Sequence, residues 1–126
     1  MTYFEKEAQR INKELYSKEY LIRQIISSKQ FIDKHFAETI SIDDLAGEAN
    51  FSRFHFQRLF RKTYGLTPNQ YLQRVRIDRA KRLLKKGMMV TQVCHEVGFE
   101  SIPTFSRLFK KITGSSPSGI LEKKHY

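Results

Sequence analysis

Hydrophobic residues recur along this chain at the spacing of buried helix faces. Ile42, Leu45 and Ala46 follow a three- and four-residue spacing, and Phe56 and Phe60 resume it a few residues later. That spacing places side chains on one side of an α-helix. A longer stretch shows it again, at Tyr71, Leu72, Val75, Ala80, Leu83 and Leu84. The pattern predicts an all-α chain of several short helices and one longer helix.

Residues that begin, end or connect helices lie between these hydrophobic stretches. Ser41 is suited to cap a helix, with Asp44 favourably placed three residues later. Asn50 and Gly98 are residue types that readily adopt the left-handed conformation of a tight turn. Serines suited to begin a helix and glycines suited to end it occur in pairs: Ser52 and Ser101, Gly65 and Gly114. The order is helix, turn, helix, and it occurs twice.

This order reflects an internal repeat. A shift of 49 positions aligns residues 52–72 with 101–121 and leaves nine of 21 positions identical. A shift of 48 pairs residues 42–51 with 90–99, so Glu100 is an extra residue in the second copy. The repeat includes the phenylalanines that follow the turns, Phe51 and Phe99, which we expect to fill the angle between the helices. Two copies of a helix-turn-helix unit are therefore predicted.

One helix is expected to join the two copies. Thr67 is suited to cap it, Pro68 stands at its first position and Gly87 follows its end. At about 1.5 Å per residue, residues 68–86 span roughly 28 Å, close to the ~34 Å between major-groove faces one helical turn apart. A single chain could then place two helices in successive major-groove segments. The copies run head to tail, so the predicted site is asymmetric.

The charge distribution points to a polyanionic partner. The chain has 126 residues, with 23 Lys and Arg against 13 Asp and Glu. Eleven basic and four acidic residues lie within residues 41–87. The second helices of both units, about 52–64 and 101–113, contain basic residues and no acidic residue. Solvated helix faces usually mix both signs, so we expect these helices to bind double-stranded DNA. A non-specific architectural DNA-binding protein is the alternative.

Other classes find little support. One cysteine and four scattered histidines give no spacing typical of a metal site, and no catalytic constellation is recognisable. We therefore expect no enzyme activity, no cofactor and no metal. The apolar runs are far shorter than the ~20 residues of a membrane span. A cytoplasmic, nucleoid-associated protein without a membrane partner is predicted.

Residues 41 to 121 resemble the DNA-binding domain of the AraC/XylS family of bacterial transcription regulators. The segment VGFESIPTFSRLFKKITGSSPSGI, residues 97–120, is similar to the family signature, and YLQRVRIDRAKRLL, residues 71–84, is similar to the family's linker helix. The resemblance implies a seven-helix module of two homeodomain-like helix-turn-helix units joined by a long linker helix. It also implies transcription regulation, most often by activation through contact with RNA polymerase, and an upstream sensor or dimerisation domain in a longer natural chain.

The same resemblance implies roles for individual residues. Residues expected to face bases are Arg53, Phe54, Gln57, Arg58, Ile102, Pro103, Thr104, Ser106 and Arg107. Residues expected near phosphates are Ser52, Arg61, Lys62, Ser101, Lys110 and Lys111. Ile102 and Pro103 lack side-chain hydrogen-bonding groups where the family often has polar readers. The second helix of the second unit is therefore expected to contact thymine methyl groups or mainly to bind the DNA backbone. Sequence discrimination is then expected to depend more on the first unit.

The N-terminal residues carry a second pattern. A heptad-like seam, interrupted by two lysines, runs through Phe4, Ala8, Ile11, Leu15, Lys18, Ile22, Ile25, Lys29, Ile32 and Phe36. Residues 21–37 are expected to form the first helix, with Ile22, Ile25, Ile32 and Phe36 in the core. Residues 1–20 are then a helical extension or linker stub, with a coiled coil as a further hypothesis. The expected division continues with 21–87 as the first unit with linker helix and 88–126 as the second unit.

Overall fold

The computed structural model describes residues 2–48 and 52–124, and every regular element in these ranges is an α-helix. The helices are α1 (Tyr3–His35), α2 (Ile42–Glu48), α3 (Arg53–Tyr64), α4 (Pro68–Lys85), α5 (Val90–Glu96), α6 (Ile102–Thr113) and α7 (Pro117–Lys124). The expected all-α module of two helix-turn-helix units and a linker helix is confirmed. The expectations for Asn50 and Phe51 lie outside the described residues.

The two units repeat in structure as they do in sequence. Helices α2 and α5 each have seven residues, and α3 and α6 each have 12. Both longer helices begin at a serine whose side chain accepts a backbone hydrogen bond, and both end at a left-handed glycine, Gly65 with φ of 80° and Gly114 with φ of 81°. The predicted caps are therefore confirmed in both copies.

The remaining helix starts follow local sequence equally closely. The Ser41 hydroxyl accepts a hydrogen bond from the Asp44 backbone N–H at 3.2 Å. Thr67 and Gln70 form a reciprocal capping box ahead of Pro68, which fixes the start of α4. Met89 precedes α5 without a side-chain cap, as its apolar side chain predicts.

Among the described side chains, the core forms two clusters, and α4 contributes to both. The first contains Ile25 and Ile32 of α1, Leu45 and Ala46 of α2, Phe56 and Phe60 of α3, and Leu72 of α4. The second contains Ile77, Ala80, Leu83 and Leu84 of α4, together with Val93, Cys94, Val97, Phe99, Phe105 and Phe109. Each unit packs on a different half of the linker helix. The linker is thereby part of both cores instead of a free connection.

Helix α1 is longer than the first helix expected at residues 21–37, because it continues through the preceding stretch without a break. Ile25 and Ile32 are fully buried, as expected. The expectation for Ile22 is wrong, since this side chain is 50% exposed. Leu21 packs against the first cluster in its place.

The physical reason is the surface that α1 meets. Leu21 and Ile22 are neighbours on either side of the stripe, and the first cluster lies on the side of Leu21. The packed stripe passes through Ile25, Ser28 and Ile32, and the buried Ser28 hydroxyl donates to the Gln24 carbonyl at 2.7 Å. Phe4, near the start of the seam, is 83% exposed. The coiled coil stays a prediction.

A polar cluster also joins α1 to α4. The Lys29 ammonium lies 2.7 Å from an Asp33 carboxylate oxygen, and the Tyr71 hydroxyl donates to the other oxygen of that carboxylate. Burial, followed by the bond to Asp33, raises the pKa of Tyr71. Lys29, which interrupts the seam, therefore lies at an internal contact. Within the described ranges, no helix has the length and apolarity to cross a bilayer.

Candidate nucleic-acid interface

Helix α3 separates its apolar and basic residues onto opposite faces. Phe56 and Phe60 are fully buried in the first cluster, and Leu59 packs against it. Arg58, Arg61 and Lys62 are exposed on the opposite side, and Arg53 is exposed at the first position of the helix. Packing of the two phenylalanines therefore fixes which side of α3 a ligand can reach.

Phe54 is the exposed aromatic residue on this face of α3. It is 72% exposed, and the Arg58 guanidinium carbon lies 4.8 Å from the centre of its ring. The two residues are one helical turn apart, and a cation over an aromatic face is weakly attractive. The contact presents a guanidinium and an aromatic edge side by side. Sequence reasoning predicted both residues at the interface but missed their contact.

Arg53 contacts an acidic residue of the preceding helix. Its Nε lies 3.5 Å from Asp43 Oδ1, and both side chains are well exposed. An ion pair between exposed side chains contributes little and is screened by salt. A phosphate or a base edge can therefore replace Asp43 as the partner of Arg53 at little cost in free energy.

Helix α6 presents a different chemistry at the equivalent positions. Ile102 is 39% exposed and Pro103 is also exposed. The Ser101 hydroxyl donates to Thr104 Oγ1 at 2.9 Å and also accepts from the Thr104 backbone N–H. Arg107, in contrast, is exposed one turn further along the helix. The start of α6 thus offers methyl groups and short hydroxyls, and its later turns offer cations.

None of the predicted site residues is buried. Those of the first unit are Ser52, Arg53, Phe54, Gln57, Arg58, Arg61 and Lys62, and those of the second are Ser101, Ile102, Pro103, Thr104, Ser106, Arg107, Lys110 and Lys111. Gln57 and Ser106 are half-buried and occupy equivalent positions in the two repeats, and the other residues are exposed. The structure thus leaves every one of these side chains at least partly accessible to a ligand.

The two units enclose an open cleft that sequence reasoning did not foresee. Its volume is about 380 Å³, and its lining includes Asn69, Gln73 and Arg76 of α4 and Thr104 of α6. Arg76 also bonds to the end of α1, with its Nε 2.6 Å from the Phe36 carbonyl oxygen. The sequence spacing could have indicated that Arg76 faces the interior. It lies four residues from both Leu72 and Ala80, on the packed side of α4.

Residues suited to redox or metal chemistry do not gather in this region. Cys94 is fully buried in the second cluster, where burial raises the pKa of its thiol, so the reactive thiolate is disfavoured. Among the described side chains, no three His, Cys, Asp or Glu residues form a group that could hold a metal ion.

Comparison with known proteins agrees with the two helix-turn-helix units seen in the structure. The chain matches the helix-turn-helix domain family over residues 45–123. It is 35% identical over 86 residues to the probable transcription factor PqrA of Proteus vulgaris, covering 68% of this chain and 70% of that protein. It is 36% identical over 90 residues to the bifunctional transcriptional activator and DNA repair enzyme AdaA of Bacillus subtilis, covering 71% of this chain and 43% of AdaA.

Other relatives are also considerably longer than this chain. The match covers 26% of the Bacillus subtilis regulator YbfI and 43% of the probable regulator LumQ of Photobacterium leiognathi. The chain therefore corresponds to less than half the length of these relatives.

Among solved structures, the DNA-binding domain of the transcriptional factor AdpA in complex with a target DNA superposes with a TM-score of 0.74 at 30% identity, covering 79% of this chain and 90% of that one. A probable AraC-family regulator from Rhodopseudomonas palustris superposes with a TM-score of 0.73 at 24% identity, covering 81% and 97%. The family match, the relatives and the shared fold agree: the chain belongs to the AraC/XylS family of helix-turn-helix transcription regulators.

Proposed function

We propose that the chain binds double-stranded DNA sequence-specifically for transcription regulation, with α3 and α6 in successive major-groove segments of an asymmetric site. The observation that supports this most is the duplicated helix that exposes cations and has no acidic residue, once in each unit. Helix α4 has 18 residues, or about 27 Å at ~1.5 Å per residue. Because that is shorter than a full DNA turn, simultaneous entry requires the DNA to bend.

The two helices divide the work of recognition. Arg53, Gln57 and Arg58 of α3 can make paired hydrogen bonds to base edges. At the start of α6, Ile102 and Pro103 fit thymine methyl groups. Arg107, one turn further along, contacts a base edge. Arg61, Lys62, Lys110 and Lys111 lie in the last turns of these helices and neutralise phosphates. Discrimination between sequences therefore depends mainly on α3.

Selection of bound sequences from a random duplex pool tests this proposal. The expected result is one asymmetric motif with two separated conserved segments, the more strongly conserved one matching α3. A pool that gains no motif after repeated rounds would show that binding, if any, does not depend on sequence.

We expect DNA affinity to fall steeply with salt. If about six to eight phosphates are neutralised, the logarithm of the affinity falls against the logarithm of salt concentration with a slope of roughly −5 to −7, because each contact releases condensed counterions. Fluorescence anisotropy of a labelled duplex, recorded from about 50 to about 200 mM salt, measures this slope. A slope near −2 contradicts two helices engaged at once.

Base reading and phosphate binding separate in a matched pair of α3 variants. Gln57→Ala is expected to weaken binding to the selected site by about 1 to 3 kcal/mol and to leave random duplex nearly unaffected, because only a base edge is lost. Lys62→Ala is expected to weaken both duplexes to the same extent, because phosphates are present in every sequence. Titration of both duplexes measures this, and equal losses for Gln57→Ala contradict base reading by that side chain.

The alternative is a non-specific architectural protein. It is favoured by Ile102 and Pro103 at the start of α6, whose side chains have no hydrogen-bonding groups. It predicts no preference above about tenfold between duplexes, whereas specific binding typically exceeds non-specific binding by ~1,000-fold or more.

The wider role follows from the same proposal. AdaA is named a transcriptional activator, and activation through RNA polymerase is the mode that we propose for this chain, in the bacterial cytoplasm at the nucleoid. The greater length of the relatives supports an upstream sensor or dimerisation domain, whose signal α1 would carry.

A further inference from the structure

Arg76 lies on α4 between the two cores and makes three separate contacts. Its Nε donates to the Phe36 carbonyl at 2.6 Å, and its Nη2 donates to the Glu38 carbonyl at 2.9 Å. Its guanidinium carbon lies 5.6 Å from the centre of the Phe99 ring. Two of these partners, Phe36 and Glu38, lie in the segment that directly follows α1, and the third lies in the turn between α5 and α6. One side chain therefore contacts both units and the linker that joins them.

The end of α1 itself touches the second unit. Phe36, the C-terminal cap of α1, packs against both hydrophobic clusters. A Cβ atom placed on Gly98 would stand 2.8 Å from the Ala37 carbonyl oxygen. The turn of the second unit therefore rests directly on the backbone that follows α1. We call Phe36, Ala37, Arg76, Gly98 and Phe99 the junction.

The chemistry of the guanidinium suits this place. The carbonyls at the end of a helix lack partners within the helix. A planar guanidinium can donate to two carbonyls in one fixed geometry, here those of the cap residue Phe36 and of Glu38 beyond it. Burial lowers the pKa of Arg76, because the charged guanidinium loses part of its hydration there. The carbonyl dipoles and the Phe99 ring face compensate for that loss only while the junction keeps its geometry. Rotation of one unit against the other breaks these contacts.

We propose that Arg76 is a positioning residue that holds the two helix-turn-helix units in one relative orientation and thereby sets the spacing between the two DNA segments that the chain can bind. This inference rests on the proposed function, because spacing matters only if both units engage one duplex. Arg76 acts through the orientation of α6 and not through a contact with a base.

The test uses the selected site and a series in which one to three base pairs are inserted or removed between its two segments. Rigid coupling makes the second segment an intramolecular partner at high effective concentration. Arg76→Gln is expected to weaken binding to the native spacing about tenfold and to change binding to a single segment less than twofold, because preorganisation is lost. It is also expected to flatten the dependence of affinity on spacing. Arg79→Gln is the control, because it removes the same charge from an exposed position on α4.

Arg76→Lys keeps the charge but replaces the two-pronged donor with a single ammonium, so an intermediate loss of spacing preference is expected. It also serves if Arg76→Gln does not fold, which circular dichroism would reveal. If wild-type protein shows no selected site, the proposed function fails. If wild type depends sharply on spacing and the Arg76 variants match Arg79→Gln across the series, this inference alone is overturned.

Discussion

Gly98→Ala is expected to lower the free energy of unfolding by about 3 to 5 kcal/mol, which is at the upper end for a single substitution. Two costs add at this position. The backbone has a φ of 96°, and a left-handed conformation costs a residue with a Cβ atom roughly 1 to 2 kcal/mol. The added Cβ also meets Ala37 backbone atoms at 2.8 to 3.0 Å, and backbone cannot move aside as a side-chain tip can.

Gly114→Ala is the matched control. Its φ is 81°, and nothing lies within 4 Å of an added Cβ, so only the conformational cost of about 1 to 2 kcal/mol is expected. Urea unfolding followed by circular dichroism gives both values. The difference between the variants measures the contact between the end of α1 and the turn of the second unit. Equal losses would mean that this contact relaxes without cost.

Phe109→Ala is expected to lower the free energy of unfolding by about 3 to 5 kcal/mol, because truncation of a buried phenylalanine loses apolar burial and leaves a cavity. Phe109 is fully buried and its ring centre lies 5.7 Å from that of Phe105. The same unfolding measurement applies, and thermal unfolding with and without the selected duplex shows whether α6 still binds.

Phe54→Ala is the control for this variant, because it removes the same group from a 72% exposed position. Its stability should stay within about 0.5 kcal/mol of wild type, as is usual for surface substitutions. Its DNA affinity should fall, since the ring and its contact with Arg58 belong to the proposed interface. A stability loss for Phe54→Ala similar to that of Phe109→Ala would contradict the assignment of its face to the surface.

Local signals in the sequence predicted most of the fold. Capping serines, the Thr67 and Pro68 pair and the glycines after α3 and α6 act within four residues of their own position, so they can be read without knowledge of the rest of the molecule. The internal repeat supported these predictions, because the same capping residues and glycines occur at equivalent positions in both units. The position of the basic residues of α3 relative to Phe56 and Phe60 was also predictable. A helix keeps one periodicity along its length, so sequence spacing shows which residues share a face.

Features that depend on distant packing were not predictable in this way. The buried stripe of α1 uses Leu21 and Ser28 instead of Ile22 and Lys29, and the choice is set by the surface that α1 meets. Arg76 was counted among basic residues, but its main partners are about 40 positions away in the sequence. The contact of Arg53 with Asp43 likewise joins residues of two different helices, α3 and α2. Which of the site residues touch bases depends on the DNA, and no feature of the chain alone determines it.

The sharing of α4 between both cores has a consequence for how the duplicated units could be separated. A fragment that ends at Gly87 would leave Ile77, Ala80 and Leu84 in contact with water, although all three are fully buried in the intact chain. A fragment that begins there would lose the wall on which α5 and α6 rest. Neither half is then a free-standing domain, so a recombined regulator that exchanges one recognition helix for another must exchange it within an intact α4 framework.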